Sequence, residues 1–515
     1  MHKLAKLVLL ITLLYSFTLA GQESIWLENE LSQKAELYFT KNPNLKFHSA
    51  LKSYHLPDSI KNEVYGPEKW PIFFKKEAKN SSIEFSPLIH SIGGFSMSDS
   101  SFAIGQLGIG LAMKGNFGTK FYYSASAYFE DGKYPGYISD YIELKGVIPG
   151  MGRAYPGSLG YNFTRFDLLL SYQPTDFLRL EAGIGKHFIG EGYHSFFVSD
   201  VASNNPFGQL NVNIWHLNFS ATYSSMSHLE PGSDPDWQKA KKFSARHYLS
   251  WNVIKSLRIG FFESVVWQAS DSNYYRGFDP FYINPIQFYR PVEYSIGSSD
   301  NSLLGFDFSL KIKKRWILYS QFMLDEFLLR EISSGNGWWA NKFAIQIGLK
   351  AFEPFNSKGL FVRAEFNLAR PFTFSHGSSK QNYAQLGEAI GHPLGSNFYE
   401  GLLQINIDIG KYGRLENLIL AYIKGIDPEG ENLGGDIFKS YTNPTNTYGN
   451  YITQGDQKVV GIYRVQYSYL LSKENRIKLV GGLQLRGERF LGSTSISTQV
   501  FAGISSTIWN RYADF

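Results

Sequence analysis

Apolar and polar residues alternate in twos along most of this chain. Leu304, Phe306, Phe308, Leu310 and Ile312 are apolar, while Gly305, Asp307, Ser309 and Lys311 between them are not. Leu403, Ile405, Ile407 and Ile409 alternate with Gln404, Asn406 and Asp408. Tyr463, Val465, Tyr467 and Tyr469 alternate with Arg464, Gln466 and Ser468. Successive side chains of a strand point to opposite faces, so each segment has one greasy face and one polar face. The pattern predicts strands near residues 83–97, 101–115, 119–130, 164–173, 176–187, 207–214, 217–226, 242–252, 257–268, 302–313, 315–326, 341–351, 358–369, 400–410, 414–425, 457–471, 475–486 and 495–509. About eighteen amphipathic strands predict an all-β fold, a transmembrane antiparallel β-barrel with lipid outside and a polar lumen within.

The links between strands carry the same message. Asn116 to Gly118, Pro174-Thr175, Lys313-Lys314, Gly410 to Gly413 and Ser472 to Asn475 are short. They alternate with long links near 131–163, 188–206, 269–301, 327–340, 370–399 and 427–456. Short turns at one end and long loops at the other are an outer-membrane pattern. Phe515 is a terminal aromatic of the kind that barrel assembly signals carry.

The first eighty residues read differently. Lys3 and Lys6, an apolar run from Leu7 to Leu19, and Thr18-Leu19-Ala20 predict a signal peptide over 1–20, cleaved near Ala20. The apolar run is too short to span a bilayer as a helix. Glu23 to about Thr40 reads as an amphipathic helix with Leu27, Leu31, Ala35 and Tyr38 on one stripe, and a short helix is expected near Ser59 to Val64. Residues 21–80 are therefore expected to form a helical and irregular periplasmic cap, a short plug, with the barrel occupying 81–515.

Composition narrows the class. Aromatics make up 16% of residues, with 33 Tyr and 41 Phe, as a barrel with two membrane interfaces requires. The absence of cysteine excludes disulfides and thiolate metal sites. The net charge of +5 lacks a basic cluster, and no nucleic-acid partner is expected. Arg179, Glu181, Asp307, Lys311, Arg363, Glu365, Asp408, Arg464, Lys478 and Arg486 fall on the lumen face with mixed signs, which predicts internal pairing.

Candidate chemistry gathers at the long-link end. Gly185 to Tyr193 ends the fifth strand, and Asn284 to Glu293 with Gly297 to Asn301 occupies a long middle loop. Asp325 to Phe327 and Trp338 to Lys342 flank the next, and Gly391 to Asn397 lies beyond. Aromatic rings mixed with Asn, Asp, Arg and His suit sugars, whose ring faces stack and whose hydroxyls pair with planar polar groups. The candidate glycan-binding residues are His187, Tyr193, Phe288, Tyr289, Arg290, Asp300, Trp338, Trp339, His392 and Asn397. The alternative is that these runs pack loops together and plug the barrel. No Gly-x-Ser-x-Gly elbow or His-Glu-x-x-His occurs, so no catalytic residue, metal or cofactor is assigned and no enzyme is expected. His187, His194, His376 and His392 leave an outer-membrane hydrolase as the remaining alternative.

At these loops the sequence resembles the Wzi-type capsule assembly barrels, nearest their Bacteroidota relatives, the RemB-type gliding-motility proteins. The runs Gly185 to Asp200, Asn284 to Asn301, Asp325 to Phe327 with Trp338 to Lys342, and His392 to Asn397 carry the resemblance. It implies an eighteen-stranded outer-membrane barrel closed by an N-terminal helical segment and by long outer loops. It implies a lectin-like role in holding capsular polysaccharide. Expected partners are surface polysaccharide, outer-membrane lipid and the barrel assembly machinery. The RemB-type branch implies an accessory role in gliding, with gliding or secretion envelope proteins as partners.

Overall fold

The computed structural model describes residues 29–42, 47–52, 54, 56, 60, 64, 74–98, 101–229, 240–270, 275–284, 300–326, 328–471, 477–506 and 508–515. The signal segment, Leu27, most of the short helix expected at 59–64, and Phe288, Tyr289 and Arg290 lie outside the described residues.

Alternation becomes one closed antiparallel sheet. Its wall strands are β1 (Ser81–Met97), β2 (Ser101–Phe117), β3 (Phe121–Lys133), β4 (Tyr161–Thr175), β5 (Leu178–Gly185), β6 (Asn205–Ile214), β7 (Leu217–His228), β8 (Ala240–Ile254), β9 (Leu257–Gln268), β10 (Asn301–Ile312), β11 (Trp316–Glu326), β12 (Lys342–Phe352), β13 (Leu360–Ala369), β14 (Phe398–Ile409), β15 (Gly413–Ile426), β16 (Asp456–Leu470), β17 (Lys478–Phe490) and β18 (Ser493–Ser505). All eighteen match the expected segments to within four residues at either end. Each wall strand pairs with the next, and β1 pairs with β18, His90–Met97 against Ser505–Thr498, which closes the barrel. Closure removes the free edges that lipid could not satisfy.

The seam holds an unexpected piece. β18 meets only the second half of β1, and a short strand, Phe74–Ala78, pairs with the first half, Phe74 opposite Phe85 and Ala78 opposite Ser81. Among the described residues the sheet thus includes 74–78 ahead of the strand that begins at Ser81. Lys75, Lys76 and Glu77 make this strand charged on both faces, so alternation could not reveal it.

Outward and inward faces follow the expected register. Phe306 is exposed while Asp307 and Ser309 are buried, and Tyr463, Tyr467 and Tyr469 are exposed beside buried Ile462 and Ser468. The lumen is not uniformly polar, however. Leu402, Leu418, Leu420, Val460 and Ile462 point inward and are buried against loop residues such as Phe196, Leu394 and Ile437.

Among the described residues, three segments together with the other long links fill the interior. Helix α1 (Asn29–Lys41) comes from the short-turn end. Its Leu31, Ala35 and Phe39 form a small core with Tyr54 and Leu56. Its polar side reaches the wall, with Lys350 Nζ 2.6 Å from Glu36 and Lys478 Nζ 2.8 Å from Glu30. The link 186–204 enters from the opposite end and meets the segment after α1. The Lys52 N–H donates to the Phe188 carbonyl and the Gly190 N–H to the Ala50 carbonyl. Gly305 on β10 leaves room for the Phe197 ring, where a Cβ would collide.

The third segment corrects an expectation. The last strand stops at Ser505 rather than 509, and Ser506 and residues 508–515 turn into the lumen. Ile508 and Tyr512 are buried, and the Phe515 ring lies 4.3 Å from that of Tyr141. Tyr141 belongs to helix α2 (Gly136–Lys145) of the β3–β4 link. Phe515 therefore packs inside the barrel instead of presenting an aromatic at a strand end.

Candidate functional site

The sequence candidates separate into distinct places. Tyr193 is 3% exposed; its N–H donates to Glu365 Oε2 at 2.9 Å and its hydroxyl accepts from Arg464. His392 is wholly buried, with Nε2 2.9 Å from Glu400 and its ring 4.6 Å from that of Phe398. Asn397 is also buried. Its amide donates to the carbonyls of Gly425 and Gln454, and its Oδ1 accepts from the Thr453 N–H. Asp300 accepts two bonds from Arg276, at 3.0 and 2.8 Å, and one from the Tyr282 hydroxyl. These four side chains are committed to holding loops together.

Where the inserted segments meet, six charges balance. Glu36, Glu191 and Asp307 face Lys52, Lys350 and Arg258. Lys350 Nζ is 2.5 Å from Glu191, Arg258 Nη2 is 3.1 Å from Glu191, and the same nitrogen is 2.8 Å from Asp307. Lys52 pairs with Glu36, and Ser49 donates to Glu191. Burial works against the Glu191 carboxylate, yet the neighbouring Lys350 and Arg258 charges hold its pKa below the usual range. The expected internally paired lumen is seen here, with helix, link and wall each contributing charges.

Trp338 and Trp339 lie at the long-link end, half-buried, with ring centroids 6.2 Å apart. Trp339 packs on Tyr441 at 5.0 Å and on Phe372 at 5.6 Å. The 336–339 turn is laced to the β15–β16 link: Trp339 N–H donates to Thr447, Gly449 N–H to Asn336 and Asn450 N–H to Gly337. Tyr448 sits between two of these bonded residues and is 54% exposed; nearby Tyr451 is 61% exposed. Exposed Asn443, Thr445 and Asn446 precede them. The expected list missed Tyr448 and Tyr451, although the run from Tyr441 to Tyr451 is visibly rich in Asn, Thr and Tyr.

His187 belongs to none of these clusters. It lines a cavity of about 400 Å³ between β4–β8 and the inserted segments. Its ring meets Phe207 edge-on at 4.4 Å. Burial, with the Arg246 charge beside it, lowers its pKa to about 3, so the imidazole is neutral. Arg165, Arg246, Gln209, Asn211, Asn213 and Trp509 share this lining.

Comparison with known proteins gives a likeness of fold alone. No family model and no curated protein matches the chain. The structure is similar to that of Wzi of Escherichia coli, an outer-membrane protein involved in group 1 capsule assembly and described as a carbohydrate-binding β-barrel. The TM-score is 0.56 at 12% identity, over 94% of this chain and 99% of that one. It also aligns with OccK8 (OprE) of Pseudomonas aeruginosa, with a TM-score of 0.43 at 9% identity over 82% of this chain and 97% of that one. OccAB4 of Acinetobacter baumannii gives 0.43 at 8% identity over 83% of this chain and 98% of that one.

Proposed function

We propose that this chain is a non-enzymatic outer-membrane barrel that holds surface polysaccharide at its long-link end. One observation carries the reading. Backbone bonds join the turn that carries half-buried Trp338 to the link that carries exposed Tyr448 and Tyr451, which keeps these three aromatics, the aromatic strip, on one pair of tied loops, with exposed Asn443, Thr445 and Asn446 in the same link. Rigid rings offer sugar faces a stacking surface, and the amides beside them offer donors and acceptors to hydroxyls. The fold shared with Wzi, a carbohydrate-binding barrel, supports the reading. Of the histidines, His194 and His392 are wholly buried among aromatic rings, which argues against a catalytic role for these two. A supporting role in gliding, suggested by the resemblance to the RemB-type proteins, belongs to the same proposal.

Each stacked ring contributes on the order of 1 kcal/mol, by analogy with aromatic pairs, so retention depends on many sugars of one polymer. The combined Trp338→Ala, Tyr448→Ala and Tyr451→Ala variant should shed polysaccharide from the cell surface and impair spreading, with the amount of heat-modifiable barrel unchanged. Normal surface glycan and normal spreading with a normally folded barrel would assign the strip to loop packing.

A further inference from the structure

The cavity beside β4–β8 has a directional lining. On β6 the inward side chains are Gln209, Asn211 and Asn213, and on β7 they are Thr222, Ser220 and Asn218. Gln209 stands opposite Thr222, Asn211 opposite Ser220 and Asn213 opposite Asn218. These rungs of amides and hydroxyls extend roughly 14 Å at the usual strand rise. The lower rung lies at the short-turn rim, where Asn213, Asp176 and Phe177 are exposed. At the upper end, Thr222 pairs across to Arg246 of β8, with His187 and Phe207 lining the same space.

Arg246 differs from the other two arginines on this lining. Arg165 makes two 2.8 Å bonds to Asp167, and Glu181 has the Arg179 charge beside it. Arg246 is 5% exposed, and among the described residues its contacts are hydroxyls: Nη2 donates to Ser224 Oγ at 2.7 Å, and Tyr383 lies beside it. Its Nε has no hydrogen-bond partner among the described residues. A guanidinium withdrawn from water without a carboxylate is costly unless an anion joins it. Its planar fork suits a carboxylate, which can accept two parallel bonds. Neutral His187 next to it adds no competing charge, and each amide along the ladder can both donate and accept.

We propose that this cavity is a second saccharide site, entered from the short-turn end, that seats a uronic-acid carboxylate on Arg246 and the hydroxyls of adjoining sugars on the β6–β7 amides. The choice of a sugar rests on the polysaccharide function proposed above; the anion site does not. In the outer-membrane orientation the entrance faces the periplasm, opposite the aromatic strip, so the barrel carries one glycan site at each end.

Calorimetry on the full-length barrel in lipid nanodiscs tests this with trigalacturonate, neutral maltotriose and inorganic phosphate as probes. Trigalacturonate should bind, maltotriose at least tenfold more weakly, and Arg246→Gln should weaken trigalacturonate binding at least tenfold, with Arg246→Lys in between. The aromatic-strip variant should bind trigalacturonate as the parent does, which separates the two sites. Because the chain has no cysteine, Asn213→Cys places a single thiol at the entrance. Trigalacturonate should slow its reaction with an anionic thiol reagent, a readout that does not depend on the folding of an Arg246 variant. The proposal is overturned if trigalacturonate does not bind, or if maltotriose or the Arg246→Gln barrel binds equally well. It is also overturned if phosphate alone binds, marking an adventitious ion only, or if the thiol is not protected.

Discussion

Two stretches of wall, β10–β16 and β4–β8, are built on the same alternation, and one is covered more completely than the other. Along β10–β16 the inward residues are closed over. Asp307, Ser309, Tyr319, Gln321, Gln346, Lys350, Glu365 and Asn367 are all at most 5% exposed. The link 186–204 binds them directly: Gln321 accepts from the Phe196 N–H at 3.0 Å, and Gln346 donates to the His194 carbonyl at 3.1 Å. Along β4–β8 the inserted segments stand back and leave about 400 Å³. There Gln209 and Asn211 are only half-buried and Asn213 is exposed. An inward position on a barrel strand is therefore not a burial state. It becomes core only where another segment returns to cover it with matching shape and charge.

The sharpest break between the two stretches lies in the six-charge cluster. Glu191→Ala would leave Lys350 and Arg258 short of negative charge in a dry site. Breaking a buried pair in this way costs about 3–5 kcal/mol. Asn211→Ala, on the open side, removes one bond to Glu181 beside a cavity, for about 0.5–1.5 kcal/mol. Equilibrium urea unfolding in lipid vesicles measures both. Similar losses in the two variants would mean that the two sides are equally well packed.

A series of arginine substitutions separates three environments rather than two. Phe308→Arg places a charge in lipid and should cost about 2–4 kcal/mol near the midplane. Ser309→Arg enters a filled lumen and should cost about 1–3 kcal/mol by overpacking. Asn211→Arg has open cavity space beside it and should be nearly neutral. Refolding yields that rank Asn211→Arg with Ser309→Arg would contradict the open cavity. Equal tolerance of Phe308→Arg and Asn211→Arg would contradict the register.

The wall was legible in the sequence because alternation is a local signal, set by strand geometry and independent of what fills the barrel. What fills it was not legible in the same way. Leu402, Leu420 and Ile462 read as ordinary apolar residues, and period two cannot tell a lipid-facing leucine from one packed on a loop. The same ambiguity carried the last expected strand on to 509, since Ile508 continues the alternation that Ile504 belongs to. In the structure Ile504 is 38% exposed and Ile508 is 4% exposed. The loop motifs were visible as unusual, but Tyr193, His392 and Asn397 carry the polar groups that a buried plug needs as well as those a sugar site needs. Arg246 gave no signal, because its meaning lies in the absence of a carboxylate across strands and loops distant in sequence.

The smallest effect expected concerns the inserted tail, held on the packed side partly by charge. His194 Nε2 lies 3.5 Å from Asp514 Oδ2, too long for a hydrogen bond but close for an ion pair. Both are outside the wall strands. Burial opposes the charged imidazole, and the Asp514 carboxylate overrides it, so the His194 pKa is raised. Burial likewise opposes the Asp514 charge, and His194 with Arg464 overrides it, lowering its pKa to about 2. His392, whose ring is 5.0 Å from that of His194, has its pKa held below the ordinary value by burial. The signs follow from linkage. The His194 contribution is complete below its ordinary pKa of about 6.5 and fades as pH rises through the raised value. The Asp514 contribution is present above its ordinary pKa of about 4 and fades as pH falls towards about 2. The tail should therefore dock most firmly between roughly pH 4 and 6.5 and loosen on the alkaline side. A spin label on Ala513→Cys should gain mobility as pH rises above about 6.5, and His194→Gln should remove that pH step while leaving the label more mobile throughout. A label that is equally immobile across the range would show that apolar packing of Ile508, Tyr512 and Phe515 holds the tail unaided. A step that persists in His194→Gln would assign the titration to another group.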